Sequence, residues 1–179
     1  MRHLSAPALA SVLLLAATQP VAAQGYFGMN QVQYDRFDWR VKETPHFLIH
    51  YYPEEEVAAS DAARMAERAY GRLSRMIGHQ FREKKPLIFF SSRNDFGQNN
   101  VTGDLGEGTG GVTEGLRHRV LLPFTGDYHS FEQVLTHELV HSFQYDIFAR
   151  GKAGGGLQTL QQVNPPLWFM EGMAEYLST

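Results

Sequence analysis

Apolar and polar residues alternate through FDWRVKETPHFLIHYYP on both sides of Glu43 to Pro45, which predicts a two-stranded hairpin turning there. The period then changes. From Glu54 to His79, the residues Val57, Ala62, Met65, Ala69, Leu73 and Met76 recur every three to five positions, predicting an amphipathic helix with acids in its first turn, where they favour the helix dipole. PLIFFSS, starting at Pro86, is short and wholly apolar and reads as a buried strand. Glycine and polar residues dominate Asn94 to Gly111, which predicts a surface loop, and His118 to Phe124 is bulky and β-branched enough to be the next strand. Ser130 and Gln133 are spaced as a capping box and open a helix running to about Arg150, with Gly151 as its stop. After the connector GKAGGG and QTLQQVN, Asn164 and Pro165 cap and open a last helix, PLWFMEGMAEYLS. That helix meets no stop signal before Thr179, so the domain is expected to be truncated at its C-terminus.

The N-terminus changes this picture. Arg2 and His3 precede an apolar run from Ala8 to Ala17, then come Pro20 and the small residues Val21 and Ala23. A run of about ten residues is too short for a bilayer core that needs about 20, so residues 1–23 read as a secretory signal peptide and residues 24–179 as one domain. An exported protein, periplasmic or extracellular and not inserted in a membrane after cleavage, is expected. Cysteine is absent, so neither disulfides nor lipidated thiols enter the argument, and a metal site must use histidine and carboxylate. A net charge of −3 without a basic run excludes an electrostatic footprint for nucleic acid, and FREKKP reads as a solvated turn. Gly106, Gly108 and Gly111 lack the preceding strand and following helix that a phosphate loop requires.

The chemistry concentrates in LTHELVH. Residues four apart in a helix sit one above the other, so His137 and His141 present both imidazoles to a single tetrahedral zinc. Glu138 lies about 100° around the helix from His137, beside such a metal rather than on it, where it reaches a water as a general base. Chance order of this composition yields the spacing about 0.02 times, which leaves the motif short of proof on its own. The uncharged Leu139 and Val140, with Val134, Leu135 and Phe143, mark a buried helix rather than a solvated one. A catalytic zinc takes three protein ligands and keeps a position open, and Glu171 in WFMEGMAEY supplies the third. Glu175, four further along the same face, is placed to accept the second ring N–H of a ligating histidine, with His137 as the expected partner. Gly172, costly inside a helix, suggests a close backbone approach to a neighbouring helix or to the metal.

HELVH followed by WFMEGMAEY resembles the gluzincin metallopeptidases, in particular the bacterial peptidase MA-like family of exported proteins, some of which continue into a TolB-type β-propeller. The resemblance spans Phe37 to Ser178 and implies His137, His141 and Glu171 as zinc ligands with Glu138 as general base. GTGGVTEGLRHRVLLPF is similar to the glycine-rich edge strand that precedes the zinc helix in that family. The tyrosine or histidine that stabilises the oxyanion usually lies beyond the third ligand; in this chain Tyr176 and His129 are conceivable substitutes.

These readings converge on an α+β, zincin-like fold, with a small twisted mixed sheet, an edge strand, the HEXXH helix and a third-ligand helix. The expected function is a zinc metallopeptidase carrying one zinc ion and acting on a peptide or protein substrate, aligned along the strand at His118 to Leu122. Glu114 is a second candidate, as an acid binding the substrate's amino terminus, against the plainer reading of a hydrogen-bonded turn acid. The alternatives are a zinc hydrolase of a non-peptide substrate and a non-catalytic zinc-containing binding module. His46, His50, His79 and His118 lack ligand spacing and read as surface or satisfied histidines, and Trp39, Trp168 and the phenylalanines as core.

Overall fold

In the computed structural model, which describes residues 33–101, 109–115, 117–148 and 165–179, alternation and periodicity become a mixed α+β fold around a five-stranded sheet. The chain divides between Asn30 and Gln31, and only the second unit, Gln31–Thr179, is described below. The signal-peptide reading of residues 1–23 therefore lies outside the described residues, as do Asn164 and the helix stop at Gly151. Among the described residues no helix is long and apolar enough to cross a membrane.

The predicted hairpin is β1 (Arg40–Glu43) paired antiparallel with β2 (Phe47–Tyr51), in a register that sets Arg40 opposite Tyr51 and Glu43 opposite Leu48. β2 runs parallel to β3 (Lys85–Phe90), and β3 runs parallel to β5 (Arg119–Pro123), which pairs antiparallel with β4 (Val112–Glu114). The spatial order is β1-β2-β3-β5-β4. This corrects one expectation: the strand at His118 to Leu122 is internal, and the edge is the three-residue β4, so only β4 can offer unpaired main-chain groups on that side. A short helix, α2 (Arg93–Gly97), replaces part of the expected loop, with Ser92 Oγ accepting the Asp95 N–H at 3.1 Å as its cap.

α1 (Glu56–Ile77) crosses from β2 to β3 and ends at Gly78, whose left-handed φ of 69° suits the terminating position that glycine fills at least cost. The face it buries consists largely of alanines, Ala58, Ala59, Ala62, Ala63, Ala66 and Ala69, with Tyr70 and Leu73. Small side chains let the helix backbone lie close over the sheet. Val57 and Met76, expected on the buried stripe, are exposed instead, because the alanine face wins the contact with Phe47, Ile49, Leu87 and Val120. The same core takes in α3 (Tyr128–Phe148) through Phe131, Leu135, Leu139, Val140 and Phe143, and α4 (Leu167–Ser178) through Ala174 and Leu177. The opposite face of the sheet is covered by a smaller cluster of Tyr52, Phe90, Phe96 and Leu121.

Both helices that carry the candidate ligands start away from the predicted residues. α3 begins at Tyr128, because Asp127 takes the capping role expected of Ser130: its carboxylate accepts the His129 N–H at 3.0 Å and the Ser130 hydroxyl at 2.5 Å. α4 begins at Leu167 rather than Pro165, since a proline disfavours helical geometry in the residue before it and Pro166 follows Pro165. Arg72 of α1 donates to the Leu177 carbonyl at 2.9 Å, fastening the end of α4 to the body of the fold.

Two further expectations fail on α4. Trp168 is 75% exposed rather than core, and a Cβ added at Gly172 would meet nothing within 4 Å, so no close approach explains that glycine. With open space around it, only helix propensity separates glycine from alanine there. Gly172→Ala should raise the unfolding free energy by about 1 kcal/mol, read from urea denaturation midpoints at unchanged m-value.

Candidate metal centre

His137 and His141 rise from one face of α3, and Glu171 faces them from the second turn of α4. The two Nε2 atoms are 3.2 Å apart, and Glu171 Oε2 is 3.3 Å from His137 Nε2 and 3.5 Å from His141 Nε2. Ligands held about 2.0–2.1 Å from one tetrahedral zinc lie about 3.3–3.4 Å from one another, so the donor set and its spacing fit such an ion without rearrangement. These three residues, each offering one atom, are the group among the described residues that could hold a metal.

Orientation of the two imidazoles comes from a second layer of contacts. Gln144, one turn past His141 and wholly buried, takes the His141 Nδ1–H on its Oε1 at 2.8 Å and donates its own N–H to the Met170 carbonyl at 3.0 Å. Only that amide orientation satisfies both contacts, and it leaves His141 Nε2 as the free lone pair facing Glu171. The same side chain thereby fixes the ligand helix to the helix that delivers the third ligand, next to Glu171 itself. Glu175 Oε2 lies 3.8 Å from His137 Nδ1, a longer and more exposed contact on the expected histidine. Gln144→Leu is expected to weaken zinc binding about 10–100-fold, measured by competition with a chromophoric chelator.

Glu138 stands outside the group of three and is buried. Thr113 of the edge strand donates to its Oε2 at 2.6 Å, and the Glu138 main-chain carbonyl lies 2.9 Å from the same hydroxyl. Burial pushes the Glu138 carboxyl above its ordinary range, assisted by Glu171 and opposed by the Thr113 bond and the two histidines. Glycines in the segment around β4 make this approach possible. A Cβ on Gly111 would fall 2.7 Å from Leu122 Cδ2 and 3.0 Å from Glu138 Cγ, and one on Gly110 3.1 Å from Val134. Glycine is needed here because the main chain runs against α3.

These elements enclose a cleft of about 1210 Å³ between β4, α3 and α4, with His137, Glu138, His141 and Glu171 on its walls. Glu114 also lines it, but its carboxylate is held by Arg119, opposite it across the β4–β5 ladder, at 2.6 Å. His129 and Tyr176 are exposed and do not line it. Of the remaining histidines, His46 bonds Glu67 at 2.7 Å, and His79 is buried against Asp146. The satisfied reading fails in part for two of them: His79 and His118 each bury Nδ1 without a partner among the described residues, His118 at φ 51°.

No known protein family matches this chain, and no curated protein matches it.

Proposed function

We propose that this chain is a zinc-dependent peptide hydrolase of gluzincin, peptidase MA-like type, built on a zincin-like α+β fold and exported from the cell. The observation that carries the reading is the mutual spacing of His137 Nε2, His141 Nε2 and Glu171 Oε2, at 3.2, 3.3 and 3.5 Å, with a buried carboxylate beside them that is not one of the three. A purely structural zinc normally fills its fourth position with protein and has no use for such a base.

Zinc bound there supplies Lewis acidity toward the scissile carbonyl and toward the attacking water. Glu138, steadied by Thr113, takes the proton the water loses as its oxygen bonds to the carbonyl carbon. It then passes that proton to the amide nitrogen as the carbon–nitrogen bond breaks. β4 is the last strand in the sheet, with β5 as its only partner among the described residues, and it borders the same cleft. An extended peptide added along β4 would bond through its main chain and bring successive carbonyls past Glu138, which favours a peptide over a glycan or a small ester.

The test is a substrate panel. Zinc-loaded protein should cleave unstructured polypeptide, lose that activity to a chelator and regain it with zinc. Cleavage of esters or glycans with peptides untouched would overturn the choice of substrate.

A further inference from the structure

Tyr145 lines the cleft with a phenol hydroxyl to which the proposed reaction gives no role. It lies four residues beyond His141, hence on the same face of α3, and lines the same cleft as Glu138 and Glu171. Its ring rests on Gly115 at the end of β4: a Cβ there would approach Tyr145 Cε1 to 3.1 Å and Cδ1 and Cζ to 3.3 Å. Glycine thus seats the ring against main chain, where it is held half-buried. No described residue hydrogen-bonds its hydroxyl, whereas the Thr113 hydroxyl is held by Glu138 and the Glu114 carboxylate by Arg119.

We propose that the Tyr145 hydroxyl donates a hydrogen bond to the substrate carbonyl oxygen as negative charge develops on it during attack. The inference rests on the peptide-hydrolase reading and adds to it the group that stabilises the oxyanion. Three observations support it. The phenol is bound to no described protein group and opens on the cleft that holds Glu138 and Glu171. Burial raises its pKa, so it stays a protonated donor at neutral pH. Its seat on Gly115 fixes the ring before substrate arrives, and a preplaced donor stabilises developing charge without reorganising. His129 and Tyr176, the sequence candidates for this role, stand outside the cleft lining.

Tyr145→Phe keeps the ring on Gly115 and removes only the donor. In the zinc-loaded protein, kcat for a peptide should fall about 100-fold with KM and zinc stoichiometry unchanged. The dissociation constant of a phosphonamidate peptide, which carries a tetrahedral anion in place of the scissile amide, should rise by a similar factor. Gly115→Ala, which displaces the ring, should move both quantities in the same direction. Unchanged kcat and phosphonamidate affinity in Tyr145→Phe, beside an active wild type, would overturn this role alone. A wild type that binds zinc yet neither cleaves peptides nor binds the phosphonamidate would overturn the peptidase reading and the role of Tyr145 with it.

Discussion

Glu138→Gln should lower peptide turnover by about 10²–10⁴-fold while zinc remains bound at full stoichiometry. Glutamine has the shape of glutamate, and its carbonyl oxygen can still accept the Thr113 hydroxyl that holds Glu138 at 2.6 Å. It cannot take a proton. Because Glu138 lies outside the group that fits the metal, the substitution separates base from ligand. Steady-state kinetics with metal analysis on the same preparation gives the answer: turnover that survives intact would remove Glu138 from the mechanism.

The largest effect on stability is expected at Lys85. Its ammonium is buried at the start of β3, 2.5 Å from Asp146 Oδ1, while His79, just past the end of α1, bonds Asp146 Oδ2 at 2.7 Å. Asp146 sits five residues after His141, so this buried triad fixes the height of α3 against the sheet and the end of α1. Lys85→Met would leave a carboxylate buried with only the histidine, and removing one partner of a buried ion pair costs about 3–5 kcal/mol. For a domain of this size that is a fall in Tm of roughly 6–20 °C. Lys85→Met combined with Asp146→Leu should recover most of the loss, since apolar packing often replaces a buried pair at little cost. Calorimetry on the single and double variants checks both statements.

The pH dependence of the same triad follows from its signs. Burial alone would raise the Asp146 carboxyl, but hydrogen bonds and attraction from Lys85 and His79 outweigh it and hold the group below its ordinary value. A depressed carboxyl stabilises the fold above the unfolded pKa of about 3.9 and loses that contribution as pH falls through the folded value. Asp146 should therefore contribute its full stabilisation to the wild type above about pH 5 and lose it in stronger acid, read as a steepening fall of the unfolding free energy below that pH.

How much of this was legible in the sequence depended on how local each signal is. The period-two run FLIHY and the four-residue step from His137 to His141 are short-range patterns, and each maps onto one face of one element. Ser92 and Asp95, three apart, carried an equally local capping signal for α2 that the surrounding glycine and asparagine concealed. Contacts between elements left no such trace. Gln144 is one turn past His141 and reads as an ordinary helix residue until Met170, 26 positions on, is brought beside it. Thr113 meets Glu138 only because β4 forms the sheet edge, which depends on β5 pairing inward with β3. Periodicity could not choose between two apolar stripes on α1, because alanine counts weakly in hydropathy yet packs closest. Nor could it show that the apolar residues opening α4, Leu167, Trp168 and Phe169, stay exposed.

Zinc K-edge absorption on protein loaded with one equivalent of the metal tests the central claim most directly. Two imidazole nitrogens and one carboxylate oxygen at about 2.0–2.1 Å are predicted, with the imidazole scattering reduced in His137→Ala and in His141→Ala. An unchanged spectrum in those variants, or a first shell without histidine, would contradict the account.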